Sequence, residues 1–363
     1  MTLRENTRVI RAGSVYIGGG SPVTVQSMTN TKTGDVTETV RQILALEDAG
    51  CDIIRAAVPD AESAEAIRKI KKEIHIPLVA DVHFDYRLAL SAIKNGADKV
   101  RINPGNIGSP EKVKKVADAA AERGVPIRIG VNGGSLEKAI KAKYGRPCAE
   151  AIVESAMGHI AILEALDFGD ICVSLKSSDA AETVKAYKLI AEKTDYPLHV
   201  GLTEAGTLFG ATVKSSAAIG SVLLSGIGDT IRVSVTGDPL EEVRIGRELL
   251  RALRLGDKGL VEFVSCPTCG RTSVDLIGLA EKIEAMLRDA ERRGLIGNKI
   301  KVAVMGCAVN GPGEASDADI GLAGGKNEVL LFEKGVPGEK LTGSSGEIAD
   351  EFVKRVIGLA GKH

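Results

Sequence analysis

Three cysteines near the end of the chain have the spacing of a metal or redox site. Cys266 and Cys269 form a Cys-x-x-Cys motif, and Cys307 follows in a glycine-rich stretch. Each group comes directly after a predicted strand. A Cys-x-x-Cys motif between a strand and a helix also suits a thioredoxin-like dithiol, but the third cysteine favours a metal.

The kind of metal site depends on what completes the three thiols. A structural zinc ion needs a fourth Cys or His, and this part of the chain offers only the terminal His363. Three thiolates without a fourth fit an iron–sulfur cluster with one unusual or open iron. Glu314 is the nearest acidic residue to Cys307 and is a candidate oxygen ligand. Cys51 and Cys172 are expected to pack in a core.

Basic residues at equivalent positions of several predicted strands form a second group that can do chemistry. They interrupt or close the apolar runs expected of buried parallel strands, and they are Arg55, Arg101, Arg128, Lys176 and Arg232. A lone arginine in a strand usually lies at a rim or edge. Here five basic residues lie toward the carboxyl ends of the strands, where barrel enzymes have their active sites. We therefore expect their side chains to bind one anion together. Because arginine forks match phosphate oxygens, the expected ligand is a diphosphate or bisphosphate.

Polar residues at the same strand ends extend this predicted site. They are Gln26, Ser27, Asp81, His83, Asn103, Asn132, Ser174, His199 and Ser234. Glu204 differs from them because it lies just past a predicted strand and among the cations, and it is the leading candidate for a general acid or base. A counter-ion for an arginine is the alternative interpretation of Glu204, and His199 is equally consistent with a core histidine.

Short apolar runs alternate with helical patterns along the first two thirds of the chain. Eight strands are predicted, at residues 23–25, 52–58, 78–82, 99–103, 127–131, 171–175, 198–202 and 230–235. Their mean spacing of about 30 residues is that of one strand-plus-helix unit. Eight such units predict an α/β fold, a (β/α)8 TIM barrel. An open doubly wound sheet is the alternative, because periodicity does not show closure.

The segments before and after these strands complete the predicted organisation. Residues 8–20 are expected to form a small hairpin around Gly18, Gly19 and Gly20 that plugs the barrel floor. A charged, glycine-containing stretch at residues 254–259 is typical of a linker. We therefore expect a substrate-binding barrel over residues 1–258 and a small α+β cluster domain over residues 259–363. The elements predicted for the second domain are strands at 261–264 and 300–305, a helix at 274–293, two further short strands and a final helix at 347–359.

Composition and charge exclude several classes of function. The 363 residues carry 47 Lys and Arg against 48 Asp and Glu, so there is no overall basic field to hold a nucleic acid. The longest uncharged stretch, residues 215–228, is too short for a membrane span, and the polar N-terminus lacks the apolar core of a secretory signal. We expect a cytoplasmic protein with neither a nucleic-acid nor a membrane partner.

Seven ordered motifs carry a resemblance that spans nearly the whole chain. They are Val25-Gln-Ser-Met-Thr-Asn30, Asp81-Val-His-Phe-Asp-Tyr-Arg87, Arg101-Ile-Asn-Pro-Gly-Asn-Ile-Gly108, Arg128-Ile-Gly-Val-Asn132, Leu202-Thr-Glu-Ala-Gly206, Ser265-Cys-Pro-Thr-Cys-Gly-Arg271 and Gly306-Cys-Ala-Val-Asn-Gly-Pro-Gly-Glu314. In these motifs the sequence resembles the GcpE family of bacterial 4-hydroxy-3-methylbut-2-en-1-yl diphosphate synthases. It resembles the short form of that family, without a domain inserted between barrel and cluster region.

The resemblance implies an activity and a set of site residues. The activity is the reductive ring opening and dehydration of 2-C-methyl-D-erythritol 2,4-cyclodiphosphate in isoprenoid biosynthesis, with two electrons passing through a [4Fe-4S] cluster. The implied cluster ligands are Cys266, Cys269, Cys307 and Glu314, and Glu204 matches the family's proton-transfer glutamate. The residues implied to bind the diphosphate or to line the site are Arg55, Asp81, Arg101, Asn103, Arg128, Asn132, Lys176, Arg232 and Ser234.

The resemblance also implies partners. Flavodoxin or ferredoxin is the expected electron donor, and in the expected homodimer the cluster domain of one chain closes over the barrel of the other. Two interpretations from other classes stand beside this one. The first is a non-redox barrel, such as a pterin-binding synthase, with a structural zinc ion in the second domain. The second is a non-enzymatic redox sensor.

Overall fold

A computed structural model describes residues 1–256, 260–307, 313, 315–325 and 328–361. The chain divides into two compact units, Met1–Asp257 and Lys258–His363. The predicted boundary between residues 258 and 259 lies outside the described residues.

The first unit begins with a two-stranded hairpin and continues as alternating strands and helices. The hairpin strands are β1 (Ile10–Ala12) and β2 (Val15–Ile17). The alternating strands are β3 (Thr24–Met28), β4 (Ile53–Ala57), β5 (Leu78–Asp81), β6 (Lys99–Ile102), β7 (Ile127–Asn132), β8 (Ile171–Lys176), β9 (His199–Val200) and β10 (Thr230–Ile231). The helices are α1 (Val36–Asp48), α2 (Ala61–Glu73), α3 (Tyr86–Lys94), α4 (Pro104–Ile107), α5 (Pro110–Arg123), α6 (Lys138–Tyr144), α7 (Ala149–Glu164), α8 (Ala180–Ala191), α9 (Leu208–Leu224) and α10 (Pro239–Ala252), with 3-10 turns at Arg4–Asn6 and Gly133–Ser135.

The strands β3 to β10 form a parallel sheet that closes on itself. Their order is β8-β7-β6-β5-β4-β3-β10-β9. A parallel bridge between Val173 of β8 and Leu198, just before β9, joins the two ends of this order. The Val173 N–H donates to the Pro197 carbonyl over 3.0 Å. The predicted (β/α)8 barrel is therefore confirmed, and the open doubly wound sheet is wrong.

Aspartates in the loops that follow the strands begin five of the barrel helices. Each accepts a backbone N–H of the first helical turn, which satisfies a donor that has no partner inside the helix. These residues are Asp35, Asp60, Asp85, Asp179 and Asp238. The loops at the carboxyl ends of the strands therefore have defined conformations, as a site built from them requires.

The N-terminal hairpin covers the opposite end of the barrel. Its buried residues Ile10, Ala12 and Ile17 pack in one cluster with three residues at the start of barrel strands, namely Ile53, Val79 and Cys172. The predicted plug and the core position of Cys172 are thus confirmed. The floor of the barrel is therefore apolar.

The predicted turn of this hairpin is wrong. Ile10 pairs with Ile17 and Ala12 pairs with Val15, so the turn lies at Gly13 and Ser14. Gly13 has φ +57°, a conformation that glycine adopts without strain. The three consecutive glycines instead follow β2, where a Cβ on Gly18 would lie 2.0 Å from the Arg8 carbonyl oxygen.

The described residues of the second unit form a five-stranded mixed sheet and two long helices. Its strands are β11 (Val261–Ser265), β12 (Ile300–Met305), β13 (Ile320–Gly325), β14 (Glu328–Glu333) and β15 (Val336–Leu341), and its helices are α11 (Leu276–Arg292) and α12 (Ser345–Ala360). Strands β11, β12 and β13 run parallel, whereas β14 and β15 are antiparallel additions. Leucine, isoleucine and valine side chains from both helices and from the sheet form its core. The predicted α+β class is confirmed.

One strand of this unit was not predicted. The sequence analysis expects two short strands after β12, but the described residues form three, because the chain turns at Lys334 and Gly335 and returns as β15. This edge strand is mostly exposed and contains a proline and a glycine. An exposed edge strand carries no alternating apolar pattern, so sequence periodicity does not detect it.

None of the described helices combines the length and the apolar character needed to span a lipid bilayer.

Candidate active site

The strand register directs the predicted cations into the barrel. Side chains alternate along a strand, and Arg101 of β6 lies beside Arg128 of β7 in the parallel register. Arg55, Arg101, Arg128 and Lys176 are all buried. Burial, together with repulsion from Arg232, Arg128 and Arg101, lowers the pKa of Arg55. The structure therefore brings the five predicted cations close enough to one another to interact.

Asp81 lies among these cations. Its carboxylate oxygens are 3.8 Å from Arg55 Nε, 3.3 Å from Arg101 Nη1 and 3.6 Å from His83 Nε2. Burial by itself raises the pKa of a carboxyl group, but Arg55, His83 and Arg101 outweigh it and hold the pKa of Asp81 well below its ordinary range. The ionised Asp81 neutralises part of the positive charge and fixes the directions of two arginines.

Arg101 is held on its other side by β7. Its Nη2 donates to the Gly130 carbonyl over 2.9 Å, and the Gly130 N–H donates to Asn103 Oδ1 over 2.9 Å. A Cβ on Gly130 would lie 2.6 Å from Arg101 Nε, so only glycine admits the guanidinium at this position. Two predicted site residues, Arg101 and Asn103, thus share one backbone unit as their support.

Arg128 and Lys176 are buried cations whose charge is only partly compensated. Arg128 Nη1 donates to Ser174 Oγ over 2.8 Å, but its Nε and Nη2 have no hydrogen-bond partner among the described residues although the side chain is 1% exposed. Burial and the nearby Arg232 and Arg55 lower the pKa of Lys176 well below its ordinary value. Buried donors without partners are costly, and an anion supplies the acceptors they lack.

Arg232 is oriented from outside the barrel by a residue that the sequence analysis missed. Glu242 of α10 is buried and accepts from Arg232 Nη2 over 3.0 Å. It also accepts from Ser27 Oγ and from the Val235 N–H, over 3.1 and 3.2 Å. The detectable signal is an acidic residue on the helix face that otherwise carries buried Val243 and Gly246.

Lys99 is a second residue that the sequence analysis missed. It begins β6 two positions before Arg101, and strand alternation puts both on the inner face. Its side chain is completely buried, and Nζ has no hydrogen-bond partner within residues 1–256. Burial, with repulsion from Arg128 and Arg55, lowers the pKa of Lys99 to about 8.

Gln26 of β3 and His199 of β9 are two further predicted polar residues that lie buried on barrel strands. Gln26 and His199 are completely buried, and neither the amide nor the imidazole has a hydrogen-bond partner in the described part of the chain. Burial and the neighbouring Arg128 and Lys176 lower the pKa of His199 well below its ordinary value, so its ring is neutral. Asn132 lies beside Lys176 in the register, and Ser234 is half-buried two residues after Arg232.

Glu204 lies in the loop after β9 and has a constrained backbone. Its φ of +56° is in the left-handed region, where residues other than glycine are uncommon and often functional. Neighbouring residues tie the loop down: the Thr203 N–H donates to the Ser177 carbonyl over 3.2 Å, and the Gly206 carbonyl accepts from the Thr236 N–H over 2.9 Å. The exposed Glu204 carboxylate forms no ion pair with the described residues, which argues against the counter-ion interpretation.

In the second unit, two of the three predicted cysteine ligands follow adjacent parallel strands. Cys266 comes directly after β11, and Cys307 comes shortly after β12, its neighbour in the sheet. The Gly306 N–H donates to Cys266 Sγ over 3.2 Å. This contact places the Cys266 sulfur beside the backbone that leads into Cys307.

Cys269 lies on the exposed loop that returns to the same strand end. Its N–H donates to Thr272 Oγ1 over 3.1 Å, and the Ser273 N–H donates to the Gly306 carbonyl over 3.0 Å. The hydrogen bond from the Arg271 backbone lowers the pKa of the Cys269 thiol, which favours the thiolate that binds metals.

The soft sulfur donors around this strand end fit an iron–sulfur cluster. Glu314, the predicted oxygen ligand, lies outside the described residues. The described residues alone contain no group of three or more His, Cys, Asp and Glu side chains that could hold a metal ion. Cys266, Cys269 and Cys307 therefore lie around the same end of the sheet without forming a joint ligand group in the described part of the chain.

Comparison with known families and proteins covers both units. Residues 7–247 match the family model described as the GcpE TIM-barrel domain, and residues 262–357 match the GcpE protein C-terminal domain. Three curated relatives carry the name 4-hydroxy-3-methylbut-2-en-1-yl diphosphate synthase (flavodoxin). The protein of Caldanaerobacter subterraneus is 60% identical over 92% of this chain and 92% of its own length. That of Fusobacterium nucleatum is 56% identical over 98% of both chains, and that of Ruminiclostridium cellulolyticum is 55% identical over 97% of this chain and 98% of its own.

Replacing Lys99 by methionine tests whether the buried ammonium opposes folding. One pKa unit corresponds to about 1.4 kcal/mol, so a pKa lowered to about 8 from an unfolded value of about 10.4 predicts that Lys99→Met raises the free energy of unfolding by about 3 kcal/mol at neutral pH. The unfolded chain binds the extra proton between these two values, so the penalty is complete below pH 8 and disappears as the pH rises through about 10.4.

Urea denaturation followed by circular dichroism, at about pH 7 and at about pH 10, measures this difference. The control is Lys94→Met on the exposed end of α3, for which we expect a change within about 0.5 kcal/mol at either pH. A destabilised Lys99→Met variant at neutral pH would show that the ammonium has a favourable partner.

Proposed function

The chain belongs to the GcpE family, and on that premise we propose that it converts 2-C-methyl-D-erythritol 2,4-cyclodiphosphate into 4-hydroxy-3-methylbut-2-en-1-yl diphosphate in isoprenoid biosynthesis. The reaction opens the cyclic diphosphate, removes one hydroxyl group as water and consumes two electrons and two protons. The observation that carries this proposal is the set of buried cations in the barrel, whose charge Asp81 only partly neutralises.

The barrel residues bind and orient the diphosphate. Phosphate oxygens accept from the unpartnered Nε and Nη2 of Arg128 and from Arg55, Lys176 and Arg232 at the same end of the barrel. Asn103, Asn132 and Ser234 supply neutral donors at the ends of their strands. Because these side chains lie in a barrel with a closed apolar floor, their hydrogen bonds act where competition from water is weak.

Glu204 holds and transfers a proton. Its loop follows β9, and its carboxylate is exposed and free of ion pairs with the described residues. It is therefore available to protonate the hydroxyl that leaves as water. The left-handed backbone at Glu204 and the hydrogen bonds of the neighbouring residues fix the point from which its side chain leaves the loop.

The second unit holds the redox cofactor. We assign Cys266, Cys269, Cys307 and Glu314 as the ligands of a [4Fe-4S] cluster, which supplies the two electrons one at a time. A carboxylate is a weaker ligand than a thiolate for iron, so Glu314 would hold its iron less tightly than the three cysteines would hold theirs. The Gly306 N–H bond to Cys266 Sγ is of the kind that tunes cluster potentials.

Flavodoxin, which the names of the relatives contain, is the proposed electron donor. We place the reaction in the cytoplasm, where reducing conditions maintain thiols such as those of the cluster ligands.

The proposed assembly is a homodimer in which the cluster unit of one chain closes over the barrel of its partner. Electron transfer requires the cluster to lie near the substrate, and isologous dimers are the commonest oligomers. Phe84, in the loop after β5, and Phe209, at the start of α9, are large apolar residues that are 74% and 83% exposed. Apolar side chains in such positions favour burial against another protein surface.

The cofactor assignment predicts the metal content. Anaerobically purified protein should contain about four irons and four sulfides per chain and an absorption band that dithionite bleaches. Cys307→Ser should lose most of the iron, whereas Cys148→Ser, a buried cysteine of the barrel unit, should retain it. One zinc ion and no sulfide in protein protected from air would refute the reductase proposal.

If Glu204 transfers a proton, its replacement should slow the reaction without removing the cofactor. Glu204→Gln should lower kcat by about 10² to 10⁴-fold, measured as product formed from the cyclodiphosphate with dithionite as reductant, while the cluster spectrum persists. Glu192→Gln, an exposed glutamate that ends α8, should leave kcat unchanged. Full turnover by Glu204→Gln would remove Glu204 from the chemistry.

The proposed dimer predicts complementation between two inactive chains. Mixed dimers of Glu204→Gln and Cys307→Ser chains contain one intact barrel paired with one intact cluster unit, so they should recover up to about half of the activity per dimer. Each variant alone provides the baseline. Mixed dimers that remain inactive would show that barrel and cluster of the same chain work together.

A further inference from the structure

The short helix α4, which follows the site residue Asn103, begins without the usual side-chain cap. Asn103 is in the N-cap position and Pro104 in the first helical position, so the Gly105 N–H is the first donor that needs a partner. An asparagine N-cap normally accepts such an N–H with its own side chain. Here Asn103 makes no capping hydrogen bond, because its Oδ1 accepts from the Gly130 N–H on β7.

His159 of α7 accepts the donor that Asn103 leaves. The Gly105 N–H donates to His159 Nδ1 over 3.1 Å, and the histidine is 4% exposed. A Cβ on Gly105 would lie 2.7 Å from His159 Cε1, so the approach of backbone to ring requires glycine. An imidazole from another helix thus does what the N-cap side chain does elsewhere.

Glu137 determines which nitrogen of His159 is the acceptor. A backbone N–H can only donate, so Nδ1 carries no proton and the proton lies on Nε2. His159 Nε2 is 2.8 Å from Glu137 Oε1, to which it donates. Ser155 Oγ donates to the same carboxylate over 2.8 Å. Burial, only partly opposed by Glu137, lowers the pKa of His159 and keeps the ring neutral.

We propose that His159 is a positioning residue for the substrate: by accepting the Gly105 N–H it releases the Asn103 carboxamide from capping and turns it into the barrel. With Oδ1 bound to Gly130, the amide nitrogen of Asn103 becomes the donor available to a substrate oxygen. Glu137, in the N-cap position of α6, links this support to the loop after β7. The inference rests on the proposed function, because it assumes that Asn103 contacts the diphosphate.

We call the two hydrogen bonds of His159, the one from Gly105 and the one to Glu137, the relay. Two conservative variants keep one of these hydrogen bonds each. An asparagine oxygen can occupy the position of Nδ1, so His159→Asn keeps an acceptor for Gly105. A glutamine amide reaches the position of Nε2, so His159→Gln keeps only the donor to Glu137. Inorganic diphosphate serves as the probe, titrated by calorimetry into the cluster-loaded protein, and hydrogen exchange of the Gly105 amide is read in parallel.

We expect His159→Asn to retain the dissociation constant within about threefold and to protect the Gly105 amide. His159→Gln should raise the dissociation constant about tenfold, because a buried donor loses its acceptor, and should speed exchange of that amide. Gly105→Ala, which pushes the backbone away from an unchanged His159, should weaken binding to the same extent. Thermal melting of each variant verifies that it is folded.

The outcomes distinguish the relay from the site on which it rests. Asn103→Ala should weaken diphosphate binding; if it does not, or if the wild type does not bind diphosphate, the proposed anion site is wrong and the relay falls with it. If Asn103→Ala weakens binding but His159→Asn and His159→Gln behave alike, the site stands and the relay is refuted.

Discussion

The barrel buries positive charge that is only partly neutralised, and the rest of its structure must hold that charge in place. Arg55, Arg101, Arg128 and Lys176 are buried together, with Asp81 as the acid among them. Desolvation and mutual repulsion both oppose such an arrangement. Binding of an anion relieves both costs at once, so the charges that destabilise the folded chain favour the binding of an anion.

The surrounding fold holds these charges in place by close packing and by support from outside the barrel. The apolar hairpin closes the floor against Ile53, Val79 and Cys172, and glycine at position 130 admits the Arg101 guanidinium. Glu242 of α10 reaches Arg232 from the helical layer. Since a one-ångström misplacement of such groups weakens catalysis strongly, these contacts are part of the site although they do not line it.

The second unit also uses the ends of parallel strands to bring residues together, in this case cysteines. Parallel strands bring the residues that follow them to one edge, so Cys266 and the backbone before Cys307 meet at the ends of β11 and β12. Hydrogen bonds of Thr272 and Ser273 fold the Cys269 loop toward that edge. Cysteines far apart in the chain thereby follow neighbouring strands of one sheet.

The sequence by itself determined the features that depend on short-range pattern. The strand and helix alternation predicted the barrel, and the equivalent positions of Arg55, Arg101, Arg128, Lys176 and Arg232 toward the carboxyl ends of the predicted strands indicated that they form one set. The spacing of the cysteines is a local pattern of the same kind, and the metal site that it indicates stays a prediction. Edge strand β15 was not predicted because an exposed strand has no alternating apolar pattern. The hairpin turn at Gly13 was predicted in the wrong place because three later glycines are a stronger turn signal. Only the tertiary structure decided that Lys99 has no hydrogen-bond partner among the described residues, that Glu242 orients Arg232 and that His159 caps the helix after Asn103. Each of these depends on which side chain a distant helix or strand brings within hydrogen-bond distance, and no local pattern in the chain encodes that distance.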